Sequence, residues 1–269
     1  MHPLVNIAVM AARAAGTVIH RHADRVDQLQ IERKARNDFV SQIDRAAEAE
    51  IIRIIRRAYP DHAILAEESG EQSARGNSEV TWIIDPLDGT TNFLHRIPQF
   101  AVSIGIQVKD KLEHGVIYAP MNQDLYTASR GRGAMLNNRR LRTSHCRDIS
   151  QALIATGVPL QERFMPRYEP MLRSAVEQTA GVRRFGSAAL DLAAVAAGHY
   201  EGYWEFNLQP WDIAAGIVLV QEAGGVVREI DGGDPLQTGS LIAGNVHLID
   251  TLADWVPKKR AQATEAADE

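Results

Sequence analysis

Asp85 and Asp88 stand at the end of an apolar run, Val80 to Ile84, with Pro86 and Leu87 between them and Gly89-Thr90-Thr91 behind them. Pro86 is expected to end the hydrogen-bonding ladder of that strand, and Asp88-Gly89-Thr90 has the composition of a helix start with Asp88 as its cap. Two carboxylates separated by a tight turn can converge on one point. Together with the Leu87 carbonyl they offer hard oxygen ligands of the kind Mg²⁺ takes. The amides of Gly89 and Thr90, at a helix N-terminus, would then face a phosphate. Taken alone, Asp-Pro-Leu-Asp-Gly is also what a surface turn is made of. Further acids in apolar settings tip the balance. Glu67-Glu68 directly follows Ala63 to Ala66, Asp212 lies between Trp211 and Ile213-Ala214-Ala215, and Asp44 sits among Ile43, Ala46 and Ala47. Carboxylates are costly to bury unless a cation or a proton neutralises them. A divalent metal is the economical explanation.

The elements around these acids follow from periodicity. Leu4, Ile7, Ala8, Ala11, Ala15, Val18 and Ile19 recur at helical spacing and predict an amphipathic first helix. That helix is not read as a signal peptide, because no Lys or Arg precedes it and Arg13 interrupts it. A second helix is expected from about Ser41 to Tyr59, stopped by Pro60-Asp61. Strands are predicted at Ala63 to Ala66, Val80 to Ile84, Phe100 to Val108 and Leu112 to Tyr118. Beyond Ala152 strands and helices alternate: a strand to Thr156, helices at Phe164 to Gln178 and Ala188 to Ala197, and a strand at Gly202 to Phe206. A helix from Trp211 to Ala223 closed by Gly224-Gly225 leads to strands at Val226-Val227 and Leu241-Ile242. Helices first, then strands, then alternation predicts an α/β sandwich of layers in two halves. The expected division is an N-terminal α+β half at 1–145 with the metal motif, a C-terminal α/β half at 146–256 completing the site, and a solvated tail at 257–269.

Composition narrows the classes. The 269 residues carry 29 Lys and Arg against 34 Asp and Glu, a formal charge of −5 without the basic excess of a dedicated nucleic-acid binder. The single cysteine, Cys146, has no partner for a disulfide or a zinc cluster, which suits a reducing cytoplasm. No run of about 18 uncharged apolar residues occurs, so no membrane span is expected. His20, His22 and His62 read as surface residues and His95 as a turn residue; Trp204 and Trp211 read as core. Between Arg130 and Arg147 lie Arg132, Arg139, Arg140 and Arg142 with no acid before Asp148. The stretch reads as a solvated hairpin turning at Gly131 and Gly133, and its sharper reading is a contact surface for a nucleic acid or an acidic partner.

Trp82 to His95, together with Trp211 to Gly216 running through to Gly224-Gly225, resembles the paired signatures of the inositol monophosphatase family. The resemblance extends from Asn37-Asp38-Phe39-Val40 and Asp44 to Ala243-Gly244-Asn245, and it is closest to the bacterial SuhB-type members. It implies the layered αβαβα fold that the family shares with fructose-1,6-bisphosphatase. It also implies a site in which Glu67, Asp85, the Leu87 carbonyl, Asp88 and Asp212 hold two or three Mg²⁺ ions. Asp44 and Thr90, with Glu67, would position and activate a metal-bound water. Asp88, Gly89, Thr90, Ala188, Glu205 and Asp212 would contact the substrate, with Glu205, Asp88 and the backbone near Ala188 meeting ring hydroxyls. The implied activity is Mg²⁺-dependent hydrolysis of inositol monophosphate and related small polyol monophosphates, inhibited by lithium, in a homodimer. The alternatives within the fold are a fructose-1,6-bisphosphatase or a nucleotide 3′-phosphatase, against which Glu205 upstream of Asp212 favours the inositol type. SuhB-type relatives also act in ribosomal RNA transcription with NusA, which implies the alternative of an RNA-polymerase accessory protein with secondary phosphatase activity. Arg33, Lys34 and Arg36, in the loop before Asn37, are assigned no role.

Overall fold

The computed structural model describes residues 2–26, 31–35, 38–76 and 78–257, the segments 31–35 and 38–41 as backbone. Arg36, Asn37 and the tail at 258–269 lie outside the described residues. Helix α1 (Pro3–His22), a hairpin of β1 (Ile31–Ala35) and β2 (Asp38–Ser41), and helix α2 (Gln42–Ala58) open the chain. Pro3 starts α1 where a missing N–H costs nothing, and His2 Nδ1 accepts the Leu4 N–H at 3.3 Å as a cap. This helix is long and apolar enough by length and composition to cross a membrane. Its packing explains that composition: Leu4, Val5, Ala8, Ala11, Ala12, Ala15 and Ile19 are buried in one core with Ile43, Ala47, Ile51 and Ile55 of α2.

Next come β3 (Ala63–Ala66), β4 (Gly70–Gln72), β5 (Val80–Asp88), α3 (Thr90–Leu94), β6 (Ala101–Val108), β7 (Lys111–Ala119), β8 (Asp124–Ser129), β9 (Gly133–Leu136) and β10 (Arg139–Arg140). These strands form an eight-stranded sheet in the order β10-β9-β8-β7-β6-β5-β3-β4, parallel at β3–β5 and antiparallel elsewhere. Then follow β11 (Leu153–Thr156), α4 (Met165–Gln178), β12 (Gly181–Arg183), α5 (Ala188–Ala196), β13 (Gly202–Glu205), α6 (Pro210–Glu222), β14 (Val226–Glu229), α7 (Pro235–Thr238), β15 (Leu241–Gly244) and α8 (Ile249–Asp254). Their five strands make a second sheet, β12-β11-β13-β15-β14.

The period of two along each strand assembles the layers. In β6, Val102, Ile104 and Ile106 join the core under α1 and α2, whereas Ala101 points to the core that holds α5 and α6. In the second sheet Ala155, Tyr203, Leu241 and Ala243 face that same middle core; Ile154, Trp204 and Ile242 face an outer core with Tyr168 and Met171 of α4 and Leu252 of α8. The stack is therefore αβαβα, as expected. Helix α6 lies between two sheets and is buried from Ile213 to Val220, which is why it reads as apolar all round. Its close approach needs glycine on the large sheet: a β-carbon at Gly105 would lie 2.5 Å from Ala214 Cβ.

Two local expectations are corrected. The β5–β6 ladder does not end at Pro86; it bulges after Asp85↔Ser103 and resumes at Asp88↔Ala101, so the proline is accommodated in the bulge, where no ladder N–H is required. Asp88 does not cap α3, whose N-cap is Gly89 without a side-chain cap bond. The arginine-rich stretch is the predicted hairpin, with β8 and β9 joined through Arg130-Gly131-Arg132 and with Arg139–Arg140 on the edge strand.

Candidate active site

The carboxylates come from four separate places in the chain. Glu67 follows β3, Asp85 and Asp88 end β5, Asp212 sits in the first turn of α6, and Asp44 lies in the first turn of α2. Parallel pairing of β3 with β5 sets Ala66 beside Ile84, and the Glu67 N–H donates to Ile84 O at 3.1 Å, so Glu67 and Asp85 emerge side by side.

Each aspartate of the cluster has one oxygen fixed by the protein. The Leu87 N–H donates to Asp85 Oδ1 at 2.9 Å. Ser187 Oγ and, at 2.8 Å, the Ala189 N–H donate to Asp88 Oδ2, so Asp88 holds both the N-cap, Ser187, and the first turn of α5, a helix about a hundred residues further along the chain. The Gln209 N–H donates to Asp212 Oδ2 at 2.7 Å in a capping box. Among the described residues Asp85 and Asp212 accept no further side-chain hydrogen bond, which leaves carboxylate lone pairs for another ligand. Thr90 Oγ1 lies 3.0 Å from Asp44 Oδ1 and 3.0 Å from Leu87 O, both acceptors for its single proton. Gly89 has φ +94°, and a β-carbon there would come within 2.9 Å of Gln99 O, so the turn after Asp88 requires glycine. Asn92 Nδ2 donates to Gln99 O at 2.7 Å and to Phe185 O at 2.6 Å, tying α3 to the start of α5.

Electrostatics shows that the cluster is one unit. Burial, then Glu67, Asp88 and Asp212, push the Asp85 carboxyl well above its ordinary range. Burial, then Asp88, with Glu67 and Glu205 behind it, do the same to Asp212, although the residue as a whole is half-exposed. Asp88 is raised by burial to about 6 against the lowering pull of Ser187 and the Ala188 and Ala189 amides. Among the described residues no lysine or arginine forms an ion pair with Asp85, Asp88 or Asp212. Nor, among the described residues, do three of the carboxylates converge closely enough to form a ready-made ligand cage. By chemistry the oxygens of Asp85, Asp88 and Asp212, with the Leu87 carbonyl and Glu67 nearby, are the hard donors that fit Mg²⁺.

Glu205 ends β13, next to this cluster. Tyr203 Oη donates to Glu205 Oε2 at 2.5 Å, and burial lifts the carboxyl to about 7, with Tyr203 lowering it and Asp88 raising it. A raised carboxyl contributes stability that is present below its unfolded value and lost as pH rises through the folded one. Magnesium-stripped protein is therefore expected to lose stability from about pH 4.5 to 7. Glu205→Gln should flatten that window by up to about 3 kcal/mol, as thermal melts across the range would show.

Sequence reasoning missed two acids here. Asp191 is 1% exposed, its Oδ1 has no hydrogen-bond partner among the described residues, and burial, then Glu205 and Asp88, hold its carboxyl well above the ordinary range. The signal that singled out Asp44 and Asp212, an acid in an apolar helix, was present in Ala189-Leu190-Asp191-Leu192 as well. Glu48 is the other. Three aromatic and histidine expectations also change. His62 is half-buried, because the indole N–H of buried Trp82 needs an acceptor and finds His62 Nδ1 at 3.0 Å. His22 is half-buried with Nδ1 2.8 Å from Val18 O. Trp211 is half-buried and not core, since it stands at the exposed start of α6, whereas Trp204 is core and His95 exposed.

A five-layer fold with this carboxylate cluster between its sheets is the architecture of a known class, and the chain belongs to it: the model of the inositol monophosphatase family matches residues 1–265. Among individual proteins, the Nus factor SuhB of Pseudomonas aeruginosa is 49% identical over 258 residues, spanning 94% of this chain and 95% of the relative. The crystal structure of the extragenic suppressor protein suhB from Bartonella henselae superposes with a TM-score of 0.93 at 45% identity, over 96% of this chain and 100% of that one. The inositol monophosphatase from Anabaena superposes at 0.83 with 39% identity, over 94% and 96%.

Proposed function

We propose that this protein is a magnesium-dependent phosphatase acting on inositol monophosphate and related small polyol monophosphates, working as a homodimer in the cytoplasm. The observation that carries the reading is the cluster of Glu67, Asp85, Asp88 and Asp212, mutually repelling and adjacent to the Thr90–Asp44 hydrogen bond. Glu67, Asp85, Leu87 O, Asp88 and Asp212 would hold two or three Mg²⁺ ions, which when bound stabilise the attacking and leaving oxygens and favour ionisation of water. Thr90 Oγ1 passes its proton toward Asp44 Oδ1 and so presents a lone pair to the proton of an attacking water. The Gly89 and Thr90 amides orient the phosphate, and Glu205, Asp88 and the Ala188 backbone receive ring hydroxyls.

A panel of inositol monophosphate, fructose 1,6-bisphosphate, a nucleoside 3′-phosphate and a simple alkyl phosphate tests the substrate class. Inositol monophosphate is expected to have the highest kcat/KM, and preference for either alternative sugar phosphate would reassign the enzyme within its fold. Glu205→Ala should shrink the inositol preference over the alkyl phosphate by about 10- to 100-fold, the worth of a hydrogen bond to a charged acceptor. An unchanged ratio would remove Glu205 from the ring site.

The name Nus factor carried by a relative supports a second reading, association with NusA and RNA polymerase. The observation favouring it here is that Arg132, Arg139, Arg140, Arg142 and Arg147 are exposed and, among the described residues, form no ion pair, while Arg130 meets Glu113 at 3.3 Å. Guanidinium groups without an acidic partner suit phosphate or carboxylate recognition, Arg142 among them donating to a carbonyl, Leu141 O at 2.9 Å. Replacing Arg139, Arg140 and Arg142 together by Gln should weaken binding to a transcription complex and lower its salt slope by about 0.9 per lost phosphate contact, with phosphatase activity kept. Binding measured at two salt concentrations checks this, and unchanged binding would leave the stretch as a solvated hairpin.

A further inference from the structure

We infer that Glu48 is a positioning residue for the carboxylate cluster: its buried side chain clamps the turn that carries Glu67 and thereby sets how tightly the cluster holds a divalent cation. The inference rests on the magnesium reading above. Glu48 lies one helical turn beyond Asp44 on α2 and is 3% exposed. Glu48 Oε2 accepts the Glu68 N–H at 2.8 Å, and Oε1 accepts the Ser69 N–H at 2.8 Å. Strands β3 and β4 pair Ala66 with Gly70, so Glu67, Glu68 and Ser69 are the whole of the turn between them.

All three turn amides are thus accounted for. The Glu67 N–H is tied to Ile84 O of β5, the strand that runs on to Asp85, and the next two N–H groups are tied to one carboxylate of α2. Glu67 is therefore held from both sides. Charge-assisted bonds to two adjacent amides are stronger and more directional than neutral ones, and outer groups that fix a ligand's backbone raise metal affinity. Successive turns of one helix then serve the site twice, Asp44 at Thr90 and Glu48 at the Glu67 turn.

Glu48→Gln keeps the volume but places an NH₂ against one of the two amide donors, opening the clamp on that side. Calorimetric titration of the stripped protein with Mg²⁺ alone should show affinity about 10- to 100-fold weaker, while kcat at saturating Mg²⁺ returns to within a few-fold of the original. Hydrogen exchange in a peptide spanning 66–70 should quicken. Arg53→Gln, on the exposed face of the same helix, should change none of these. An original protein that binds no Mg²⁺, or a Glu67→Gln variant that binds it undiminished, would overturn the metal reading and this inference with it. A site weakened by Glu67→Gln but untouched by Glu48→Gln would overturn the clamp alone. Failure of both Glu48→Gln and Glu48→Ala to fold would make Glu48 a core residue and overturn it too.

Discussion

Asp85→Asn is expected to abolish magnesium-dependent turnover while leaving the fold intact. The asparagine carbonyl can still accept the Leu87 N–H that Asp85 Oδ1 accepts at 2.9 Å, so the turn into Asp88 keeps its shape. What changes is the other oxygen, which becomes an NH₂ and cannot ligate a cation. Loss of an outer partner of a metal ligand already costs about 10- to 100-fold, so removal of a ligand itself should exceed about 100-fold in kcat/KM. Stability should move the opposite way. The Asp85 carboxyl is raised by burial and by its acidic neighbours, so its ionisation weighs against the folded state as pH rises through that raised value. Without Mg²⁺, the variant should therefore melt higher than the original at neutral pH and converge with it in acid. Near-normal turnover in a purified Asp85→Asn protein would remove Asp85 from the metal site.

Gly157→Ala is expected to damage the proposed ring-binding side through Glu205. Thr156 pairs in register with Trp204, which sets Gly157 alongside Glu205, and a β-carbon there would overlap the Glu205 carboxylate. That carboxylate cannot step aside without breaking its bond from Tyr203 Oη. Overpacking of this kind costs about 1–3 kcal/mol, or roughly 2–12 °C in Tm for a domain of this size. The preference for inositol monophosphate over an alkyl phosphate should fall as in Glu205→Ala. The two effects share one cause, so the double variant Gly157→Ala, Glu205→Ala should recover stability relative to Gly157→Ala alone. Additive losses would show that Gly157 acts elsewhere.

The long elements were legible because periodicity is a property of long segments. α1 and α2 declare a buried face by helical spacing, and α6 and the strands from β5 to β7 stand out as long apolar runs, whereas β4, β12 and α7 are three or four residues long and carry no period. The cluster was legible because acids beside apolar runs are conspicuous. Its supports were not. Asp88 holds the N-terminus of α5, and Glu48 holds two backbone amides twenty residues away; nothing in residue type announces a bond to a distant N–H. The family resemblance added the match between acids and ligand roles, and the chain's membership in the family follows from the match over residues 1–265.

On the proposed reading the four carboxylates become a working site when a divalent cation joins them. Phosphate release from inositol monophosphate, measured on protein stripped with EDTA and then titrated with Mg²⁺, tests it most directly. No turnover is expected in EDTA, with full recovery on adding Mg²⁺ that is lost again in Asp85→Asn. Hydrolysis that persists in EDTA, or that fails to appear at any Mg²⁺ concentration, would contradict it.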